Sequence, residues 1–227
     1  MKTFIFLLAF VAASFSATAQ QTAAPAGYTD MMAATIMELN STGDPAQLRQ
    51  LVSKFERAAT AAPTDWLPAY YQAYGLLITA FQSKEDGDTK DEYLDQAEAA
   101  LAQARKLRGD ESELLVLQGY IYQARLGISP MDRSGKYSRM VSEVLGQAKG
   151  INPANPRIYL VLGNNVYFTP KMFGGGPEAA KPLFEEAKAR FAAFQPSSPL
   201  APSWGERQLT SRLKAYEQAA SAQAAKQ

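Results

Sequence analysis

The 227-residue chain contains no cysteine and no histidine. Without cysteine it can form no disulfide, thiolate metal site, cysteine nucleophile or lipid-modified cysteine. Without histidine it lacks the residue that Ser-His catalysis and His-ligated zinc sites require. The sequence therefore predicts a protein with no catalytic residues, no metal site, no cofactor and no lipid anchor.

A large charge of one sign is also missing. The chain has 23 basic and 22 acidic residues, which gives a formal net charge of +1. Loss of Lys2 with a leader would bring the net charge to zero. Proteins that bind nucleic acids or anionic membranes usually carry a basic excess on one face. We therefore expect neither kind of partner.

Long apolar runs are confined to the first 19 residues. There, Lys2 precedes an apolar run from Phe4 to Phe15, and the small-x-small sequence Ala17-Thr18-Ala19 follows. The run is about 12 residues long, whereas a membrane-spanning helix needs about 20. The pattern predicts a signal peptide over residues 1–19, removed before Gln20, and a soluble exported protein without membrane insertion.

Helical periodicity extends through the rest of the chain. Asp44-Pro45 and Asn155-Pro156 are typical helix starts, because a capping side chain precedes a proline in the first turn. No segment shows the alternation of a strand, so the predicted class is all-α. The expected organisation is a disordered lead-in over 20–27, a helical repeat domain over 28–194, a linker over 195–203, and a C-terminal capping helix with a frayed tail over 204–227.

One helical signature recurs four times. Each copy has a small or apolar residue, an apolar residue four positions later and an alanine three positions after that. The first three copies end on proline or glycine five residues further on. The copies are Leu51/Phe55/Ala58/Pro63, Ala97/Leu101/Ala104/Gly109, Val141/Leu145/Ala148/Pro153 and Ala180/Phe184/Ala187. Such repetition is typical of stacked helical hairpins, in which each unit buries its apolar face against its neighbours.

The helices that follow these stops share a second pattern. Its residues are Leu115, Gln118, Gly119 and Tyr122, then Tyr159, Leu162, Gly163 and Val166, and more weakly Ala69, Gln72, Ala73 and Leu76. Together the two patterns resemble the tetratricopeptide repeat. The resemblance implies a right-handed helical-hairpin solenoid of about four hairpins, in which Gly119 and Gly163 allow paired helices to approach closely.

The spacing of the copies departs from that family. Successive signatures are 46, 44 and 39 residues apart, whereas the tetratricopeptide unit is about 34 residues long. We expect the excess to form long loops within the hairpins, at 83–88, 127–136 and 169–177.

The last of these loops carries a second resemblance. Its segment Phe168–Gly176, with three consecutive glycines, looks like a segment of exported bacterial tetratricopeptide-like proteins, including relatives of the helical accessory component of periplasmic TRAP-type transporters. This resemblance implies a periplasmic location. A phosphate-binding loop is disfavoured because no buried strand precedes the glycines and no Gly-Lys-Ser/Thr ending follows. A sharp turn with positive φ is the alternative.

The tetratricopeptide resemblance also implies a concave groove lined by the first helix of each hairpin. The partner-binding residues it suggests are Tyr70, Tyr74, Glu113, Tyr120, Gln123, Arg157, Asn164 and Tyr167. Tyrosine and arginine are enriched in binding hot spots. We predict a non-catalytic binding or scaffolding module for a protein or peptide partner. Two rival functions remain: a small-solute-binding accessory protein of an envelope transport system, and an enzyme, which the absence of histidine, cysteine and a convergent motif disfavours. For the tyrosines themselves, the alternative is that they only complete the packing between hairpins.

Overall fold

The computed structural model describes residues 25–224. This part of the chain forms nine α-helices and no strand, which confirms the all-α class. The helices are α1 Tyr28–Ser41, α2 Pro45–Ala61, α3 Leu67–Gln82, α4 Gly87–Lys106, α5 Glu111–Ile128, α6 Pro130–Ile151, α7 Pro156–Phe168, α8 Pro177–Ala193 and α9 Glu206–Ala224. The predicted signal peptide over 1–19 lies outside the described residues, as do residues 20–24 of the lead-in and 225–227 of the tail.

Side-chain caps fix several helix starts. Asp44 accepts a hydrogen bond from the backbone N–H of Ala46 at 2.8 Å, and Asn155 accepts one from Arg157 at 3.0 Å. Each cap satisfies a donor that the first turn of a helix would otherwise leave free. Both Asp-Pro and Asn-Pro starts expected from the sequence are confirmed.

Consecutive helices pack against each other along the chain, and α3 contacts α5 as α5 contacts α7. The central apolar residues of the recurring signature are fully buried in these contacts. They are Phe55, Leu101, Leu145 and Phe184, each at 0% exposure. Since α3 contacts α5 and α5 contacts α7, these three helices lie side by side.

Two glycines permit close helix contacts, as the sequence predicts. A Cβ atom on Gly163 would lie 2.5 Å from Cε1 of Phe184 in α8. A Cβ atom on Gly119 would lie 3.0 Å from Cγ of Leu145 in α6. The paired helices therefore approach more closely than a larger residue would allow.

Of the three long loops expected, the one at 127–136 is absent, and the one at 83–88 is shorter than expected. Only Ser129 separates α5 from α6, and α6 is 22 residues long. Proline suits the first turn of a helix, so Pro130 begins α6 instead of breaking the chain. Residues 83–86 form a short connection between α3 and α4. Most of the extra length of these repeats therefore lies in longer helices.

The connection between α7 and α8 does remain extended. It contains a 3-10 turn over Lys171–Phe173, and Gly174 and Gly176 adopt φ angles of 81° and 103°. Positive φ at these positions agrees with the turn expected there, because glycine enters this region without steric cost. The loop projects the side chains of Met172 and Phe173 into solvent.

The C-terminal segment is more than a linker and an end cap. Within the predicted linker, Leu200 and Ala201 are buried, and the carbonyl of Leu200 accepts a hydrogen bond from the Tyr71 hydroxyl at 2.9 Å. Trp204 is 2% exposed. The chain then bends at Gly205, whose φ is 110°, and enters α9. The segment thus returns across α3, α5 and α7 as well as contacting α8.

Candidate functional site

The eight residues predicted to line a groove come from α3, α5 and α7. Six of them are buried in the structure: Tyr70, Tyr74, Glu113, Tyr120, Arg157 and Asn164. Gln123 and Tyr167 are half-buried, and the amide of Gln123 donates to the carbonyl of Val161 at 3.2 Å. The helices therefore bring these residues to one face, but most of them are not open to solvent.

A charged network lies at the centre of this face. Arg157, at 0% exposure, forms an ion pair with Glu113, and its Nε donates to Glu113 Oε2 at 2.9 Å. Asn155 Nδ2 donates to the other carboxylate oxygen at 2.9 Å, and the Tyr70 hydroxyl donates to Oε2 at 3.3 Å. Burial disfavours the charge of Arg157, but the Glu113 carboxylate outweighs it and raises the guanidinium pKa. Removing either partner would leave a buried charge uncompensated.

Trp204 fills the space above this network. Its ring stacks on Tyr74 at a centroid distance of 4.8 Å and on Tyr120 at 5.6 Å. Its indole Nε1 donates to the Tyr70 hydroxyl at 2.8 Å. On the next turn, the Gln208 amide contacts the hydroxyls of Tyr74 and Tyr120, each at 3.3 Å. The aromatic residues of α3 and α5 thus bind the protein's own C-terminal segment.

The expectation of an open tyrosine-lined groove therefore differs from the structure. The physical reason is that Trp204 and α9 supply the apolar and hydrogen-bonding partner that these tyrosines need. The alternative in which the tyrosines complete internal packing describes Tyr70, Tyr74 and Tyr120 in this structure. A role for the eight residues in partner binding stays a prediction, and it would require the C-terminal segment to leave this face.

Burial also limits the chemistry of the covered phenols. It raises the pKa of Tyr120 to about 12, and it raises the pKa values of Tyr70 and Tyr74 well above the usual tyrosine value. A phenolate at any of these three positions would have to exist in an apolar environment without solvation. At neutral pH these side chains are therefore neutral hydrogen-bonding groups rather than anionic ligands.

A second aromatic group lies where α7 ends and α9 crosses it. The Arg212 guanidinium lies over the rings of Tyr167, Phe168 and Phe184, with its Cζ atom 4.2, 5.3 and 6.0 Å from their centroids. The Tyr216 ring packs edge-on against Tyr167 at 6.2 Å, and its hydroxyl donates to the carbonyl of Pro177 at 2.6 Å. We call these residues the Arg212 cluster.

An exposed apolar surface adjoins the Arg212 cluster. Phe168 is 67% exposed, and Met172 and Phe173 in the following loop are 83% and 72% exposed. We call these three residues the loop edge. All three lie within six consecutive residues of the chain, and grouped exposed apolar side chains often mark binding sites on soluble proteins. The loop edge and the Arg212 cluster together form the candidate site.

Other features of the described residues suggest no further site. Residues 25–224 contain no group of three or more acidic side chains arranged to hold a metal ion. A depression of about 470 Å³ is lined only by proline, serine and alanine side chains of residues 196–203. No helix in the described part combines the length and the apolarity needed to span a bilayer.

Sequence reasoning missed Trp204, Arg212 and Phe168 as site residues. Trp204 follows the Pro/Ser-rich stretch and is one of only two tryptophans in the chain, which is a signal that could have drawn attention to it. Arg212 carries no comparable signal, because its partners Tyr167 and Phe168 are more than 40 residues away in sequence. Long-range contacts of this kind become visible only in the folded chain.

The fold and the site define a class of protein: an all-helical array of short-connected helices whose own C-terminal segment covers the shared face of α3, α5 and α7. A solved structure similar to this chain is the HusA haemophore from Porphyromonas gingivalis. The two chains are 34% identical, with a TM-score of 0.74 over 83% of this chain and 93% of that one. The chain therefore belongs to the HusA family. No protein-family model and no curated protein matches the chain.

Proposed function

We propose that this chain is an exported, non-catalytic protein that binds haem at the loop edge beside the Arg212 cluster. The proposal is supported by the 34% identity to a protein described as a haemophore and by the exposed apolar side chains of the loop edge. It corresponds to the small-solute alternative of the sequence analysis, with haem as cargo rather than as a resident cofactor.

We further propose that the hairpins form a tetratricopeptide-like right-handed solenoid, which the close contacts at Gly119 and Gly163 favour.

The apolar part of the site fits the face of a porphyrin. Phe168 packs edge to face against Tyr167, with ring centroids 5.1 Å apart and an interplanar angle of 77°, and its side chain is 67% exposed. Met172 and Phe173, in the loop that follows, add a flexible and a flat exposed apolar side chain. Burying such area provides most of the affinity of sites for flat apolar ligands.

The donor set constrains how the iron can be coordinated. Histidine and cysteine are absent from the whole chain, so the remaining protein ligands known for haem iron are methionine and tyrosine. At this end of α7 those donors are the Met172 thioether, which is exposed, and the Tyr167 phenol, which is half-buried. Tyr70, Tyr74 and Tyr120 do not fit this role because Trp204 and α9 cover them.

The protein or peptide partner predicted from the sequence remains a second proposal. An extended peptide in the concave groove would compete with Trp204 for the same aromatic faces of Tyr74 and Tyr120. Haem at the loop edge needs no such displacement, and this favours the haem proposal over the peptide proposal.

Absorbance titration tests the haem proposal. Haem added to the wild-type protein should give a saturable shift of its main visible band. The double variant Phe168→Ser/Phe173→Ser should bind haem about 10- to 100-fold more weakly, because each lost apolar contact should contribute about 0.7–1.4 kcal/mol, roughly half the value for a fully buried side chain.

The matched control is Ile151→Ser. Ile151 is also an exposed apolar residue, at 57%, but it lies at the far end of α6. Its replacement should leave haem affinity unchanged. A wild-type protein that gives no saturable shift would contradict haem binding, and a loop-edge variant with wild-type affinity would contradict the location.

A further inference from the structure

Arg212 has unused hydrogen-bonding capacity within the candidate site. Its guanidinium carbon lies over the rings of Tyr167 and Phe168, 4.2 and 5.3 Å from their centroids. Among the described residues it forms neither an ion pair nor a hydrogen bond. A guanidinium carries five N–H donors, and a cation–π contact with aromatic rings gives none of them an oxygen acceptor. The donors of Arg212 are therefore available to an acceptor from outside the chain.

Arg212 lies close to the loop edge, so its N–H donors are near any ligand bound there. Arg212 is half-buried on α9, and its guanidinium lies 5.3 Å from the ring centre of Phe168, which is itself 67% exposed. A flat ligand resting on Phe168 would thus have its rim close to the guanidinium. The aromatic rings below Arg212 also hold it in place, which lowers the entropy that is lost when it engages a ligand.

We infer that Arg212 is the specificity-determining residue that pairs with a carboxylate on a flat aromatic ligand held at the loop edge. This inference rests on the proposed function, because haem carries carboxylates on the rim of an apolar ring. A guanidinium can receive a carboxylate with two parallel hydrogen bonds, and this geometry distinguishes a carboxylate from an ester. The ligand class is therefore a planar aromatic carboxylic acid.

The competing interpretation is that Arg212 only holds α9 against α7 through its contact with the rings. A thermodynamic cycle that combines a substitution in the protein with a chemical change of the ligand separates the two interpretations. Haem and haem dimethyl ester are titrated into the wild-type protein and into Arg212→Gln, under identical buffer and detergent conditions. Haem dimethyl ester keeps the ring and the iron, but its ester groups carry no negative charge and cannot form an ion pair with the guanidinium.

If Arg212 binds the carboxylate, Arg212→Gln should weaken haem binding at least about tenfold relative to its effect on the dimethyl ester, as expected for a hydrogen bond to a charged group. If Arg212 only supports α9, the substitution should weaken both ligands by the same factor, which would overturn the inference. Failure of both ligands to bind the wild-type protein would instead contradict the proposed function.

A matched control lies on the same helix. Arg207 is exposed and contacts the carbonyl of Ser41 at 3.4 Å, away from the loop edge. Arg207→Gln removes an equal charge and should leave the ratio of haem to ester affinity unchanged. A ratio that changes equally in both variants would show a general charge effect and would overturn the assignment to Arg212. Arg212→Lys, which keeps the charge but lacks the planar fork, should restore only part of the preference.

Discussion

At the scale of single residues, Gly163 shows how one missing side chain allows two helices to pair. Phe184, which faces it from α8, is fully buried and contacts the rings of Tyr167 and Tyr216. Its ring therefore has little room to move away from a new Cβ atom. The glycine of α7 and the phenylalanine of α8 act as a complementary pair in this packed interior.

We expect Gly163→Ala to lower the free energy of unfolding by about 1–3 kcal/mol, because a Cβ atom would overpack the contact with Phe184. The matched control is Gly146→Ala. Gly146 lies inside α6, where a Cβ atom would meet nothing within 4 Å, so alanine should stabilise the helix by about 0.5–1 kcal/mol. Urea unfolding of both variants measures the difference. Equal shifts of both in the stabilising direction would disprove the close contact at Gly163.

At the scale of helices, an ion-pair cluster joins α4, α5 and α6. Arg125 of α5 binds Asp91 at 3.0 Å and Glu98 at 2.7 Å, and it also contacts Asp95. Arg133 of α6 binds the second oxygen of Asp91 at 2.6 Å. The side chain of Arg125 is only 9% exposed. Shared carboxylates of this kind orient three consecutive helices where their connections are short.

Acid should weaken this cluster. The hydrogen bond from Arg133 holds the pKa of Asp91 below its usual range. A lowered carboxyl pKa contributes stability that is complete above the unfolded value, about 3.9, and is lost as the pH falls through the lower folded value. We therefore expect Asp91→Asn to destabilise the protein at pH 7 and to have a smaller effect near pH 3. Chemical unfolding at several pH values measures this dependence.

The partner of Asp91 provides the control. In an Arg133→Gln background the effect of Asp91→Asn should be smaller and should vary less with pH, because the main cause of the pKa shift is gone. If the effect of Asp91→Asn is the same at pH 3 and pH 7 in the wild-type background, the ion pairs of Asp91 do not stabilise the fold.

At the scale of the whole molecule, the C-terminal segment joins distant parts of the chain into one core. Trp204 and Tyr70 are 134 residues apart in sequence, and Tyr71 and Leu200 are 129 apart, yet each pair is hydrogen-bonded. Leu209 of α9 is 2% exposed in the same core. The segment therefore contributes to global stability and is not an independent appendage.

Trp204→Ala should consequently lower the free energy of unfolding by about 3–5 kcal/mol, the usual cost of removing a buried large aromatic residue. The exposed residue Phe173 provides a control, because Phe173→Ala should change stability by less than about 0.5 kcal/mol. Both variants are compared by thermal and urea unfolding. A Trp204→Ala protein as stable as the wild type would mean that the C-terminal segment does not hold the face of α3, α5 and α7 closed.

Local features of the sequence determined much of this fold. The caps at Asp44 and Asn155, the buried positions of the recurring signature and the close contacts at Gly119 and Gly163 all follow from spacing within one or two helices. Such features depend on neighbours a few residues apart or on the next helix, and periodicity records them. The class of the fold was therefore readable before any tertiary contact was known.

Tertiary structure alone decided which surface is available to a ligand. Periodicity placed Tyr70, Tyr74 and Arg157 on a shared face, but it could not show that Trp204, which is 134 residues from Tyr70, covers that face. Nor could it bring Arg212 over Tyr167 and Phe168. Hydrophobic burial is not directional. The sequence of an amphipathic C-terminal helix therefore does not predict which apolar face of the protein it will cover. The proposed haem site at the loop edge therefore depends on contacts that only the folded chain brings together.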